Sequence, residues 1–276
     1  MAITAADVNK LRQITGAGMM DCKNALTEAN GDFDAAIDIL RKKGQKVAAK
    51  RADRDATEGL VIAKVTADGT RGVLVCTNCE TDFVAKNADF TAMAERIAGI
   101  ALEKNLDTID ALKAAAYDSN GLTVAEKLIE QTGVIGEKID ISACHALTAG
   151  FVYAYNHPGN KVASLVGLNK TGFETAAKDV AMQVAAMGPI ALDKDSTPQS
   201  VIDKEIEIGK ELAIQEGKPA DMAEKIAMGR LNKFFKESTL LAQEFIKDNK
   251  LSVEQYLKSV DKDLTCTGFK RHSLTV

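Results

Sequence analysis

The spacing of apolar residues changes at Gly59, and this change limits the possible fold more than any other feature of the sequence. In residues 8–40, apolar side chains recur at the spacing of one helix face. Residues 60–66 and 71–77 are instead β-rich runs on either side of Asp68-Gly69, a strong signal for a hairpin turn. The sequence therefore predicts an α+β fold that begins with a helical part.

Residues 1–55 are predicted to form a small three-helix domain followed by a basic linker. Gly16-Ala17-Gly18 and Asn30-Gly31 are turn sequences that separate the three helices. The linker, residues 41–54, carries seven Lys or Arg residues and no aromatic residue that would stack on RNA bases. We expect this segment to be helical, and we favour a solvated tether over an RNA contact for it.

Met19 and Met20 begin the second helix of this domain. Two adjacent residues cannot both face the interior from one helix, so at least one of them is exposed. A flexible, polarisable Met suits a contact surface. The alternative is a Met that is partly covered at the start of its helix.

The rest of the chain is predicted to form a two-part α/β core with antiparallel sheets. One core subdomain comprises residues 56–140, and the other comprises residues 141–189 together with 239–276. The intervening residues 190–238 read as two helices broken at Gly217-Lys218-Pro219. Such a pair forms an antiparallel helical hairpin, which we expect to project from the body.

Composition excludes several classes of protein. The net charge of −4 does not provide the basic surface of a nucleic-acid binder, so we expect no direct nucleic-acid partner. No apolar run approaches the roughly 18 residues of a membrane span, and the start of the chain lacks the features of a secretion signal. We expect a cytoplasmic protein without a membrane partner, whose five cysteines stay reduced.

Motifs of catalysis are scarce. The sequence contains three His residues and neither a Gly-rich phosphate loop nor an H-E-x-x-H motif, so we expect no enzymatic activity and no cofactor or metal. Cys76 and Cys79 form a C-x-x-C pair, which in other proteins is redox-active or half of a zinc site. A thiol or zinc enzyme is therefore one alternative, although Cys at the end of a strand is usually a buried apolar residue.

Residues 81–87 join a predicted buried strand to a predicted amphipathic helix. Such connections lie on the surface and often carry function. Phe83, beside Asp82, either points outward as a contact residue or folds under the helix as part of the core. His157, at the tip of a second predicted hairpin, is either an idle surface residue or a contact residue.

Two motifs resemble signatures of the bacterial elongation factor Ts family. They are Thr-Gly-Ala-Gly-Met-Met-Asp-Cys-Lys at residues 15–23 and Thr-Asp-Phe-Val-Ala-Lys at residues 81–86. Shorter matches occur in the family's order at residues 30–32, 135–137, 155–159, 217–219 and 267–269. The resemblance implies a ubiquitin-associated-like N-terminal bundle and a guanine-nucleotide exchange factor whose partner is the GTPase elongation factor Tu.

The resemblance also implies the residues that touch this partner. Thr81, Asp82, Phe83 and Val84 are expected near the Mg²⁺ and phosphate-binding region of the GTPase. The Phe83 ring would be wedged between partner helices, and Asp82 would shift the groups that hold the metal. The further expected contacts are Arg12, Met19, Met20 and His157.

Two expectations concern parts of the chain whose role varies among relatives. The hairpin at residues 190–238 mediates dimerisation or partner contact in different members, so a homodimer through it is one expectation. The extra C-terminal helical module of enterobacterial members is expected to be absent, since seven residues follow Phe269. The main rival class is a ubiquitin-type adaptor, which would have the N-terminal bundle without the motif at residues 81–84.

Overall fold

Helices and antiparallel strands alternate along the chain in the computed structural model, which describes residues 3–119 and 121–274. The helices are α1 (Ala5–Thr15), α2 (Met19–Glu28), α3 (Phe33–Arg51), α4 (Asp82–Ala85), α5 (Ala88–Glu103), α6 (Ile109–Ala114), α7 (Val124–Ile135), α8 (Glu174–Met187), α9 (Gln199–Gln215), α10 (Ala220–Ser238) and α11 (Val253–Val260). The strands are β1 (Glu58–Val65), β2 (Arg71–Cys79), β3 (Asp140–Thr148), β4 (Phe151–Asn156), β5 (Val162–Leu168), β6 (Glu244–Phe245), β7 (Asp248–Ser252) and β8 (Cys266–Ser273). The predicted α+β class is confirmed. Among these helices, none is both long and apolar enough to cross a lipid bilayer.

The first three helices enclose a small apolar core. Thr4 caps α1: its side chain accepts a hydrogen bond from Asp7 N at 3.2 Å, while the Asp7 carboxylate accepts one from Thr4 N at 3.0 Å. Gly16, with a φ of 69°, ends this helix. The buried residues of the core are Val8, Leu11, Ala17, Cys22, Ala25, Leu26 and Ala36.

Residues 41–51 are helical, as the sequence predicted, but the segment is not a free tether. Most of this segment continues α3, a helix of 19 residues that packs against α7 where Gly44 meets Gly133. A Cβ on Gly133 would lie only 2.5 Å from the Gly44 Cα, so the two backbones are in direct contact. The last residue of α3, Arg51, donates a hydrogen bond to Glu80 at 2.8 Å. The basic segment is therefore part of a packed helix that contacts the rest of the protein at Gly44 and at Arg51.

Two three-stranded antiparallel sheets form the centre of the protein, in the orders β1-β2-β3 and β4-β5-β8. They face each other across an apolar cluster that includes Val61, Leu74, Val152 and Leu165. Helices α5 and α7 cover the other face of the first sheet, and α8 and α11 cover that of the second. Strand β8 pairs with β5, so the last strand rejoins the sheet that the helical hairpin interrupts.

Helices α9 and α10 form the predicted helical hairpin. Gly209 allows their close approach, because a Cβ at this position would lie 3.1 Å from the Ala227 Cα. Near the tip, Ile214 and Met222 are 55% and 50% exposed. A homodimer through this hairpin stays a prediction, and so does the division of the chain into the domains named above.

Candidate functional site

The segment after β2 contains one turn of helix, α4, where the sequence predicted only a connection. Thr81 is its N-cap, with its hydroxyl 3.5 Å from Val84 N. Asn87 caps the following helix α5 by accepting a hydrogen bond from Asp89 N at 2.7 Å. Thr81 and Asn87 thus supply side-chain caps at the start of α4 and at the start of α5. We call residues 81–85 the Phe83 turn.

Phe83 points into solvent. Its side chain is 81% exposed, the largest value for any large apolar side chain in the part of the chain that the structure describes. In contrast, Ala85 is 4% exposed and Val84 packs against the core under α5. The one turn of helix directs Val84 and Ala85 inward and Phe83 outward, so the alternative of a core Phe83 is wrong.

Two carboxylates hold the start of the Phe83 turn. Glu137, just beyond α7, accepts hydrogen bonds from Glu80 N at 3.2 Å, Thr81 N at 3.0 Å and Thr81 Oγ1 at 2.7 Å. Glu80 in turn accepts hydrogen bonds from Lys138 N at 2.6 Å and from Arg51 Nη1 at 2.8 Å. These donors, the Lys138 N–H first among them, hold the pKa of Glu80 below its usual value.

Asp82 carries the negative charge of the Phe83 turn. Lys86 donates a hydrogen bond to its carboxylate at 2.7 Å, and this bond lowers the pKa of Asp82. Both side chains are largely exposed, so the pair contributes little to stability. Asp82 is therefore ionised at neutral pH and free to exchange Lys86 for another partner.

The hairpin tip that carries His157 lies close to the Phe83 turn. Glu58, at the start of β1, pairs with the end of β2 and also contacts Lys161 beside the tip. The charge of Lys161 is near enough to Asp82 to help lower its pKa. His157 itself is exposed, with Nδ1 3.0 Å from Tyr155 Oη. Lys161, on the hairpin that carries His157, thus lies near the Phe83 turn.

The predicted contacts of the N-terminal helices are also on the surface. Arg12 is exposed, and Met19 and Met20 are 54% and 64% exposed. The methionines line a shallow apolar groove together with Ile3 and Val8. This groove has no lining residue in common with the Phe83 turn, so the two surfaces are separate features of the protein.

A different part of α1 faces the Phe83 turn. Residues 14–16 line a cleft of about 300 Å³ whose opposite wall includes Val84 and Asn87. Ile14 is 58% exposed there. An apolar side chain left open beside the Phe83 turn extends the surface available to a partner.

Comparison with known proteins assigns the chain to a family. The family model described as "Elongation factor TS" matches residues 80–275. The chain belongs to the elongation factor Ts family. Elongation factor Ts of Christiangramia forsetii is 58% identical over 99% of this chain and 98% of its own length. The same protein of Flavobacterium psychrophilum is 55% identical over 99% and 98%, and that of Chloroherpeton thalassium is 45% identical over 96% and 94%.

Family membership confirms the resemblance of the sequence to elongation factor Ts and makes the chain an elongation factor of protein biosynthesis. It does not by itself assign roles to single residues. The roles inferred for Arg12, Met19, Met20, His157 and residues 81–84 stay predictions.

Sequence reasoning missed the residues that support the Phe83 turn. Residues 135–137 were recognised as a family match, yet no local pattern places Glu137 beside Thr81, 56 positions away. The same is true of Arg51 and Glu80, which lie 29 positions apart. Ile14 has the helical spacing of a core residue, so its sequence position does not distinguish it from Leu11.

The two cysteines of the C-x-x-C pair do not form a shared site. Cys76 lies in the apolar cluster between the two sheets, and Cys79 lies in the cluster on the other face of the first sheet. Burial raises the pKa of Cys76, and it raises the pKa of Cys79 to about 12, the reverse of what a reactive thiolate needs. Within residues 3–119 and 121–274, no three His, Cys, Asp or Glu side chains are grouped to hold a metal. These observations weigh against the thiol or zinc enzyme.

Proposed function

We propose that this chain is the guanine-nucleotide exchange factor of elongation factor Tu. It binds elongation factor Tu with GDP, displaces Mg²⁺ and promotes release of GDP so that GTP can bind. Family membership supports the choice of partner. The 81% exposure of Phe83 on a turn capped by Thr81 is the observation that carries the mechanism. Such a factor breaks no covalent bond, so it is not an enzyme, and its place of action is the bacterial cytoplasm.

Exchange of this kind is a matter of linked binding equilibria. If the factor binds the nucleotide-free GTPase more tightly than the GDP-bound form, GDP binds the complex more weakly by the same factor. Each tenfold of this coupling corresponds to about 1.4 kcal/mol. Mg²⁺ neutralises the phosphates of the bound nucleotide, so the loss of Mg²⁺ greatly weakens the binding of GDP. Binding of GTP then releases the factor.

Four residues of the Phe83 turn have separate parts in this mechanism. The Phe83 ring enters between helices of the GTPase, where it leaves water and gains apolar contacts. Asp82 brings a negative charge that shifts the groups around Mg²⁺. Thr81 caps the turn and Val84 holds it to the core. Because the backbone of the turn is capped by Thr81 before binding, ordering it costs little conformational entropy.

Arg12, Met19, Met20 and His157 are proposed as additional contacts with the GTPase. Their exposure supports this role. His157 is on the hairpin whose Lys161 lies near Asp82, and it would reach the same region of the partner. The methionines form a separate, adaptable surface.

We expect replacement of both Met19 and Met20 by Ser to weaken association with elongation factor Tu. The variant should need a higher concentration for half-maximal exchange, because it loses apolar contact area, and its rate at saturation should stay near that of the wild type. Titration of the factor in a GDP-release assay measures both quantities. An unchanged half-maximal concentration would place the methionines outside the contact.

The exchange activity itself is tested with elongation factor Tu loaded with labelled GDP and chased with unlabelled nucleotide. Catalytic amounts of the wild-type chain should speed the loss of label, and excess Mg²⁺ should slow it. A rate of release that stays at the spontaneous value across a range of factor concentrations would show the proposed function to be wrong.

A further inference from the structure

Glu137 occupies a position that its own helix does not favour. It follows Gly136, whose φ of 81° ends α7. A carboxylate beyond this end faces the negative pole of the helix dipole, which disfavours an anion there. Any stabilisation by a Glu at this position must therefore come from contacts with groups outside α7.

Those contacts are with the start of the Phe83 turn. Glu137 accepts hydrogen bonds from the N–H groups of Glu80 and Thr81, at 3.2 and 3.0 Å, and from the Thr81 hydroxyl at 2.7 Å. Donation to a carboxylate gives a short, strong hydrogen bond and fixes the proton of the hydroxyl. The lone pairs of the Thr81 hydroxyl oxygen then remain available to accept a hydrogen bond from Val84 N, which is 3.5 Å away. Glu137 thus orders Thr81, and Thr81 orders the peptide unit that joins Phe83 to Val84.

A second carboxylate completes this arrangement. Glu80 accepts a hydrogen bond from the N–H of Lys138, the residue after Glu137, at 2.6 Å. Each of the two segments therefore supplies a carboxylate to the backbone of the other. Arg51 joins Glu80 from α3, so the Phe83 turn starts from a point held by two helices and a strand.

We infer that Glu137 is a positioning residue that fixes the Phe83 turn before the partner arrives. Its effect on exchange rests on the proposed function, whereas its effect on the order of the turn depends only on the hydrogen bonds described above. Glu137 does not contact the partner itself and affects binding only through the residues that it orients.

The test compares three variants of the full chain. Glu137→Ala removes all three acceptor contacts, whereas Glu137→Gln keeps an amide that can still reach the same groups. Glu126→Ala is the matched control, because Glu126 lies at the other end of α7 and accepts the same kinds of hydrogen bond from Thr123 N and Oγ1, both at 2.8 Å. It removes a comparable Glu–Thr contact far along the helix from the Phe83 turn.

The first readout is the order of the turn in the free protein. Amide hydrogen exchange of Glu80, Thr81 and Val84 should become at least about tenfold faster in Glu137→Ala, since each N–H loses its acceptor or its fixed cap. Glu137→Gln and Glu126→Ala should keep these amides protected. Equal protection in Glu137→Ala and the wild type would overturn the inference whether or not the chain is an exchange factor.

The second readout is exchange on elongation factor Tu. Glu137→Ala should lower the efficiency of GDP release about tenfold, which corresponds to the net loss of roughly one or two hydrogen bonds. Glu137→Gln should keep most of the wild-type efficiency, and Glu126→Ala should keep all of it. In a Phe83→Ala background, Glu137→Ala should cause only a small further loss, because most of its effect passes through the position of the ring and the rest through Asp82. A further tenfold loss in that background would overturn the inference, and a wild type without activity would refute the proposed function instead.

Discussion

Phe83→Ala is expected to remove most of the exchange activity while the protein remains folded. The side chain is 81% exposed, so its removal creates no cavity and costs little folding free energy. In the complex the same ring becomes buried, which is worth about 1.5–3 kcal/mol for a Phe side chain. If that energy is used to loosen GDP, its loss lowers the rate about 10- to 100-fold. Steady-state GDP release and thermal unfolding measure the two effects separately.

Two further variants sharpen this prediction. Phe83→Leu keeps a smaller apolar group and should retain an intermediate rate. Ile190→Ala removes part of another half-exposed apolar side chain, 49% exposed beyond the end of α8, and should exchange like the wild type. Wild-type exchange by a folded Phe83→Ala protein would contradict the role of the ring.

Gly59→Ala is expected to have a large effect on stability. Gly59 on β1 has a φ of 144°, and a Cβ there would lie 2.2 Å from the Thr77 carbonyl oxygen and 2.8 Å from the Asn78 Cα. Both are backbone atoms of the neighbouring strand β2, so relief requires the paired strands to separate. We expect a loss of at least about 3 kcal/mol in the free energy of unfolding, from overpacking and backbone strain together. Denaturant unfolding measures this value.

Gly172→Ala is the matched control for this substitution. Gly172 also has a positive φ, 84°, but no atom lies within 4 Å of the position of its Cβ. It therefore reports the backbone strain alone, which is about 1–2 kcal/mol for an L-residue in this region. Equal losses in the two variants would show that the contact with β2 is not what requires glycine at position 59.

The elements with strong local patterns could be predicted from the sequence. The β1–β2 hairpin follows from β-rich runs around Asp68-Gly69, and α9 and α10 follow from two apolar stripes around a Gly-x-Pro turn. The three N-terminal helices follow from their caps and glycine turns. In each case the residues that determine the element are neighbours in sequence, so the pattern and the structure coincide.

The support of the candidate site could not be predicted in the same way. The Glu137–Thr81 contact and the packing of Gly44 on Gly133 join residues far apart in sequence, and no local pattern encodes such pairs. The basic segment of α3 resembled a tether because its charges dominate its composition, whereas two small residues at the helix contact decide its packing. Strand β6, with two residues, is too short for a period to be read.

The exposure of Phe83 was left open by residue type alone and required the structure. A Phe after a buried strand can be core or surface, and the direction of α4 decides between the two. The family resemblance implied an exposed Phe83, and the structure confirms that this side chain is exposed. Its implication that the ring enters the GTPase stays a proposal.

The rate at which labelled GDP leaves elongation factor Tu at saturating factor tests the role of Phe83 most directly. Stopped-flow measurements with the wild-type chain and with Phe83→Ala, each shown to be bound, separate loosening of GDP from association. We predict rapid release with the wild type and release at least about tenfold slower with the variant. Equal rates in the two saturated complexes would contradict the claim that this exposed ring weakens the hold on GDP.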